Sequence, residues 1–186
     1  KDNLQMLVFS ATIPQMLRPF LKKYMDAPKI IEIDEHLSTS RNISHYLLPT
    51  KHRDRYDVLK RLIDVIDPYI CIIFCNKREE VEKLSHQLRE DGYKVGEIHG
   101  NLEPRERRQM MRRIQNMEYQ YIVATDIAAR GIDIDGVSHI INMEFPTELD
   151  FYIHRSGRCG RGNYTGRCYS MYDTTDEANL KVLERK

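Results

Sequence analysis

Between positions 42 and 172, short apolar runs alternate with stretches in which apolar residues recur every three or four positions. Ile70-Cys71-Ile72-Ile73-Phe74-Cys75 is a continuous apolar run, the pattern of a strand buried on both faces. Val81, Leu84 and Leu88 then mark one face of a helix. Val95 to Ile98 reads as a strand. A helix follows from about Glu103 to Met117, with Met110, Met111, Ile114 and Met117 on one side. Tyr121 to Ala124 and Val137 to Asn142 are further strands, Glu148 to Ile153 a helix, and Arg167 to Met171 a last strand. Upstream, Asn42 to Leu48 is a strand, and Val58, Leu59, Leu62, Ile63 and Ile66 make a helix face. The rhythm predicts an α/β fold, a parallel sheet flanked by helices on both faces.

The first 36 residues stand apart. Leu4 to Phe9 and Lys29 to Ile33 are strand-like, Gln15 to Tyr24 is helical despite Pro19, and a polar stretch, Asp34 to Asn42, follows. The expected division is 1–36 as the tail of a preceding domain, 37–44 as a linker and 45–186 as the α/β domain. The chain opens on a residue other than Met and closes within a helical pattern, which reads as a piece of a longer protein.

Composition narrows the chemistry. The formal net charge of +1 leaves no general basic field, so any nucleic-acid contact must come from local patches. The four cysteines form no CxxC pair, which favours reduced cytosolic thiols over disulfides or zinc. No signal peptide and no long apolar span is visible, so a cytoplasmic protein without a membrane is expected.

In parallel sheets ligands bind beyond the carboxyl ends of the strands. Asn76, Lys77 and Arg78 follow one strand, His99, Gly100 and Asn101 a second, Thr125 and Asp126 a third. His154-Arg155-Ser156-Gly157-Arg158-Cys159-Gly160-Arg161 carries three arginines in eight residues. Such a turn is expected to stay out of the core, because unpaired guanidinium burial is costly. Its glycines are expected to let the backbone approach a ligand. Arg158 and Arg161, three apart, can aim two planar forks at one phosphate group. In Thr125-Asp126-Ile127-Ala128-Ala129-Arg130-Gly131-Ile132-Asp133, the Asp133 carboxylate is able to accept from ribose hydroxyls and the Thr125 hydroxyl to donate to a phosphate. Arg107 falls on the inward side of its helix, where an anionic partner is expected; phosphate is preferred to an internal salt bridge. Arg105, Arg108 and Arg112 face the other way and read as a solvated face.

Together the two blocks resemble motifs of the DEAD-box ATP-dependent RNA helicases, in particular their second, C-terminal RecA-like core domain, of bacterial type. HRxGRxGR matches that family's sixth motif and TDxAARGxD its fifth. Ser10-Ala11-Thr12 is similar to the SAT motif that ends the first core domain, and Phe74 to Arg78 to the fourth motif. The resemblance spans essentially the whole chain. It implies that Arg158 and Arg161 are arginine fingers to the ATP γ-phosphate. It implies nucleotide contact at Gly131 and Asp133, and RNA-backbone contact at Asn76, Lys77, Arg78, Gly100, Arg107 and Thr125. It also implies that Ser10, Thr12 and His154 couple nucleotide state to domain closure.

Cys159 and Ser156 depart from the family's usual Thr and aliphatic residue, with little consequence expected at spacer positions. Pro104 stands where Gln is common. The phosphate-cradling GxxxxGK[ST] loop is missing: the nearest match, Gly131 to Ser138, has Val137 where lysine belongs. Asp176-Glu177-Ala178-Asn179 mimics the metal-binding tetrad but reads as an acidic first helical turn. The resemblance thus implies half of an ATPase site, with no metal held here: ATP with Mg2+ carried by the missing first RecA-like domain, single-stranded or short-duplex RNA as the partner, and no hydrolysis by this piece alone. A DNA translocase, a pure binding module and a small-molecule enzyme are the rival readings.

Overall fold

The computed structural model describes residues 5–9, 17–25, 27–31, 42–51, 53–129, 134–146, 149–176 and 180. They divide into two compact units at His36 and Leu37. In the first, residues 5–9 and 29–31 form no strand and are exposed, where strands are expected. Helix α1 (Arg18–Tyr24) forms with Pro19 in its first turn, where the missing N–H is not needed.

The second unit is one six-stranded parallel sheet of β1 (Ile43–Pro49), β2 (Cys71–Phe74), β3 (Val95–Ile98), β4 (Tyr121–Ala124), β5 (His139–Asn142) and β6 (Gly166–Tyr172). The strand order is β1-β6-β5-β2-β4-β3, so β1 and β3 are the edges. The helices are α2 (Arg55–Ile66), α3 (Arg78–Glu90), α4 (Pro104–Gln115), the single turn α5 (Asp126–Ala129) and α6 (Leu149–Ser156). Right-handed crossovers assign α2 and α3 to one face and α4, α5 and α6 to the other. Strand alternation feeds both layers. Along β2, Ile72 and Phe74 join Ile114, Ala128 and Tyr152, while Cys71, Ile73 and Cys75 join Leu59, Ile63, Val81, Leu84 and Leu88.

Local chemistry sets the helix ends. The Asp54 carboxylate accepts the N–H groups of Tyr56 and Asp57 at 2.7 and 3.2 Å, capping α2. Pro104 opens α4, and Glu106 accepts the Glu103 N–H at 2.9 Å. That helix stops at Gln115, before Met117, which turns left-handed at φ 57° and is 58% exposed rather than joining the apolar side. α6 runs past Ile153 and takes in His154, Arg155 and Ser156. Asp176 closes a short 3-10 turn, Thr174–Asp176, by accepting the Asp173 N–H, and residues 177–179 lie outside the described set.

The start of β6 is the tightest point. A Cβ added at Gly166 would sit 2.5 Å from the Cys159 Sγ and 2.7 Å from the Gly160 nitrogen. Cys159 and Ser156 are both buried, so these spacer positions do carry structural weight. We expect Gly166→Ala to cost about 1–3 kcal/mol through overpacking; an unchanged urea midpoint would show that the turn can yield.

Burial pushes the His45 and His139 imidazoles below their ordinary value, and the Arg167 charge pushes His139 further. The unfolded chain therefore binds these protons more readily than the folded one. Stability is full above the ordinary histidine value of about 6.5 and declines as pH falls below it. The Nδ1 of His45 lies 2.7 Å from the Tyr152 hydroxyl. In thermal melts followed by circular dichroism between pH 7 and 5, His45→Gln should flatten part of the decline; an unchanged slope would refute the assignment to His45.

Candidate functional site

The carboxyl ends of β2, β4 and β5 surround one buried side chain, Arg155. It is 1% exposed, against the expectation that the arginine turn stays out of the core. The physical premise behind that expectation holds, because the charge is not buried unpaired. The Asp126 carboxylate receives Nε and Nη2 at 2.6 Å each. Nη1 donates to the Asn142 Oδ1 at 3.1 Å and the Glu144 carbonyl at 3.2 Å, and Nη2 to the Asn76 Oδ1 at 2.8 Å. All five N–H donors of the fork are thus used. The guanidinium also lies over the Phe74 ring, 5.1 Å from its centroid. Asn142 in turn donates to the Ser170 hydroxyl at 2.8 Å and contacts the Cys168 Sγ at 3.6 Å.

Sequence reasoning missed this hub. One signal was available: alternation places Asn142 on the same inward face as Ile140, and a buried amide demands partners.

Around the hub, Asn76 follows β2 and its backbone N–H donates to Glu144 at 2.9 Å. Burial raises the Glu144 carboxyl, the Asn76 N–H opposes that rise, and nearby Glu80 adds to it. Lys77 is exposed at the head of α3, its N–H donating to Glu80 at 3.2 Å. Arg78 lies 3.2 Å from Glu79 and 3.4 Å from Glu82. Gly100 follows β3 on the same edge. A Cβ there would meet nothing within 4 Å, so packing inside the chain does not demand a glycine.

Thr125 ends β4 half-buried, its N–H donating to the Ile98 carbonyl at 3.2 Å. Arg107 is half-buried and donates from Nη2 to the Ala128 carbonyl at 2.8 Å, tying α4 to α5. Among the described residues that nitrogen's acceptor is a backbone carbonyl rather than an internal carboxylate. Ser10, Thr12, Gly131 and Asp133 lie outside the described residues.

The arginine turn continues from α6. His154 is exposed and Arg158 half-buried, and both line a small pocket with Phe74, Asp126, Ala129 and Arg155. The Arg158 N–H donates to the Arg155 carbonyl at 3.1 Å, and the exposed Arg161 donates from Nε to the Gly157 carbonyl at 3.3 Å. Gly160 needs no ligand to explain it. Its φ of +66° is left-handed, and a Cβ would fall 2.8 Å from Ile43 Cγ1. Among the described residues no group of three or more His, Cys, Asp or Glu is arranged to hold a metal, and no helix is long and apolar enough to cross a membrane. All four cysteines are buried free thiols.

Residues 54–163 match the family described as the helicase conserved C-terminal domain. The chain is 50% identical over 184 residues to a DEAD-box ATP-dependent RNA helicase, CshB, of Staphylococcus aureus, covering 99% of this chain and 41% of that protein. The CshB of Bacillus subtilis is 47% identical over 184 residues, covering 99% and 42%. The chain therefore spans about two-fifths of the length of the curated relatives it matches. Among solved structures, Saccharomyces cerevisiae Dbp5 bound to RNA and ADP BeF3 aligns with 100% of this chain and 49% of its own, at 27% identity and a TM-score of 0.82.

Replacing Arg155 by Met strands the Asp126 carboxylate and three further acceptors. The expected loss is about 3–5 kcal/mol in chemical unfolding. Arg155→Lys should recover only part, because an ammonium cannot make the two-pronged bond. A loss under about 1 kcal/mol for the Met variant would remove the hub from its supporting role.

Proposed function

This chain belongs to the helicase conserved C-terminal domain family, as the second RecA-like core domain of a DEAD-box RNA helicase, and on that premise we propose that it completes an ATP site and an RNA track built jointly with an upstream RecA-like lobe. The whole protein opens short RNA duplexes locally at the expense of ATP. The present piece holds half of the machinery and does not hydrolyse ATP by itself. The free thiols are in keeping with a cytoplasmic protein.

Arg158 and Arg161 reach the γ-phosphate when the two lobes close and neutralise charge that builds on the transferring phosphoryl group. Asp133 and Gly131 border the ribose. Mg2+, held by the upstream lobe, supplies further charge neutralisation on the phosphates. The RNA backbone runs over Asn76, Lys77, Arg78, Gly100, Arg107 and Thr125. The Asn76 Oδ1 is held by Arg155, so its amide N–H groups do the donating. Arg107 keeps one nitrogen on the Ala128 carbonyl and offers the rest of its fork outward. Ser10, Thr12 and His154 relay the state of the nucleotide to the closure of the lobes. Contacts of this kind favour phosphate and sugar over bases, so little sequence readout is expected.

The observation that carries this reading is the gathering at one sheet edge of the β2, β3 and β4 ends and the arginine turn, with the β2 and β4 ends tied to the turn through Arg155. The open space over Gly100 supports close approach by a backbone from outside. The likeness to a protein described as bound to RNA and ADP BeF3, over the full length of this chain, supports the pairing of ligands.

In the full-length enzyme, Arg161→Ala should lower RNA-stimulated ATP turnover by about 10³ to 10⁵ while leaving the melting temperature within a few degrees. Normal turnover by that variant would refute the finger assignment.

A further inference from the structure

The exposed face of α4 carries arginines and no acid, unlike the mixed-sign faces of α2 and α3. Arg105, Arg108, Gln109, Arg112, Gln115 and Asn116 share an arc of about 120°, by 3.6-residue geometry, and it contains no acid. Arg105 and Arg108 are three apart, and Arg108 and Arg112 four apart. Like charges at these spacings repel and destabilise a helix. Among the described residues no carboxylate pairs with any of the three.

Several other basic side chains of the domain are paired with carboxylates. On α3, Arg78 lies 3.4 Å from Glu82 and His86 3.3 Å from Glu90, each one turn along. Arg113, on the flank of α4, lies 2.7 Å from Glu118 and stacks over Tyr119. Arg89 lies 2.8 Å from Glu97. With a formal net charge of only +1, an unpaired row of three guanidinium groups is a local feature rather than the overflow of a basic protein.

Its position gives the row a direction. α4 starts just after His99, Gly100 and Asn101 at the carboxyl edge, and Arg107 on its inner side ties it to α5. From Arg105 to Arg112 the helix rises about 10 Å away from that edge. A row of that length can lie along a short run of successive backbone phosphates.

We propose that the outer face of α4 is a further RNA-backbone track, in which Arg105, Arg108 and Arg112 take the phosphates of the strand segment lying outside the sheet-edge site. This rests on the reading of that edge as an RNA site and extends it: the preferred substrate is RNA long enough to leave the core and run along α4. The repulsion stored along the row is relieved when phosphates lie across it, and the released counterions drive the association. An acidic protein is the competing occupant. Continuity with the candidate RNA edge favours RNA.

The test uses the full-length enzyme with single-stranded RNA of two lengths, one just filling the core site and one extended at both ends. Fluorescence anisotropy gives the affinity of each across a salt series. Wild type should gain about ten-fold at low salt on lengthening, with a salt slope steeper by about 2 for three added phosphate contacts to single strand. Arg105→Gln/Arg108→Gln/Arg112→Gln should lose both the gain and the added slope. Arg105→Lys/Arg108→Lys/Arg112→Lys, which keeps the charges, should restore them and shows that a loss in the glutamine variant is not misfolding. A glutamine variant that gains as wild type does, or a wild type that gains nothing on lengthening, overturns the proposal and leaves the face to an acidic protein. Failure of wild type to bind even the short strand would instead refute the edge reading itself.

Discussion

A guanidinium in a protein interior is tolerable only if every one of its donors finds an acceptor, and Arg155 meets that condition at the centre of this fold. Its five hydrogen bonds reach the ends of β2, β4 and β5 and the loop after β5, while its own backbone belongs to α6. Asn76 and Asp126 come just after β2 and β4, Asn142 ends β5 and Glu144 follows it, so the strand ends are clamped relative to each other. The arginine turn hangs directly from this clamp, and Arg158 leaves the helix through a bond to the Arg155 carbonyl. The backbone from which the outer arginines project is therefore anchored next to the buried one. On the proposed reading this is a division of labour: one charge is satisfied inward and supports the segment that carries the others.

The same arrangement explains which parts of the fold were legible in the sequence. Strand alternation and helix periodicity depend only on near neighbours. They locate Ile72 and Phe74 on one face, Cys71 and Ile73 on the other, and Leu59, Ile63, Val81, Leu84 and Leu88 on their inward stripes. Residues 5–9 and 29–31 carry a strand's composition, yet a strand exists only when a neighbour pairs with it, and pairing is not written locally. Met117 has the right spacing for the α4 stripe but comes after the helix has ended at Gln115.

The site was legible as a set of positions and illegible as a network. Asn76, Gly100 and Thr125 announce themselves by following strands. The partners of Arg155 come from positions 76, 126, 142 and 144, and nothing near position 155 names them. The glycines of the arginine turn illustrate the converse error. Gly160 looks like a concession to a ligand, whereas Ile43 and a left-handed backbone are enough to require it. Cys159 and Ser156, read as spacers, are packed parts of the turn.

Among the described residues β1 is the first strand of the sheet domain in sequence, and its one neighbour in the sheet is the last, β6. Thr50 donates through both its N–H and its hydroxyl to the Tyr172 carbonyl, 122 positions downstream. A polypeptide that emerges from the ribosome amino end first therefore holds β1 unpaired throughout synthesis of the domain, until Gly166 to Tyr172 have appeared. Native closure of that long loop is a non-local step, of the kind that forms slowly and leaves a strand edge without its native neighbour until it does.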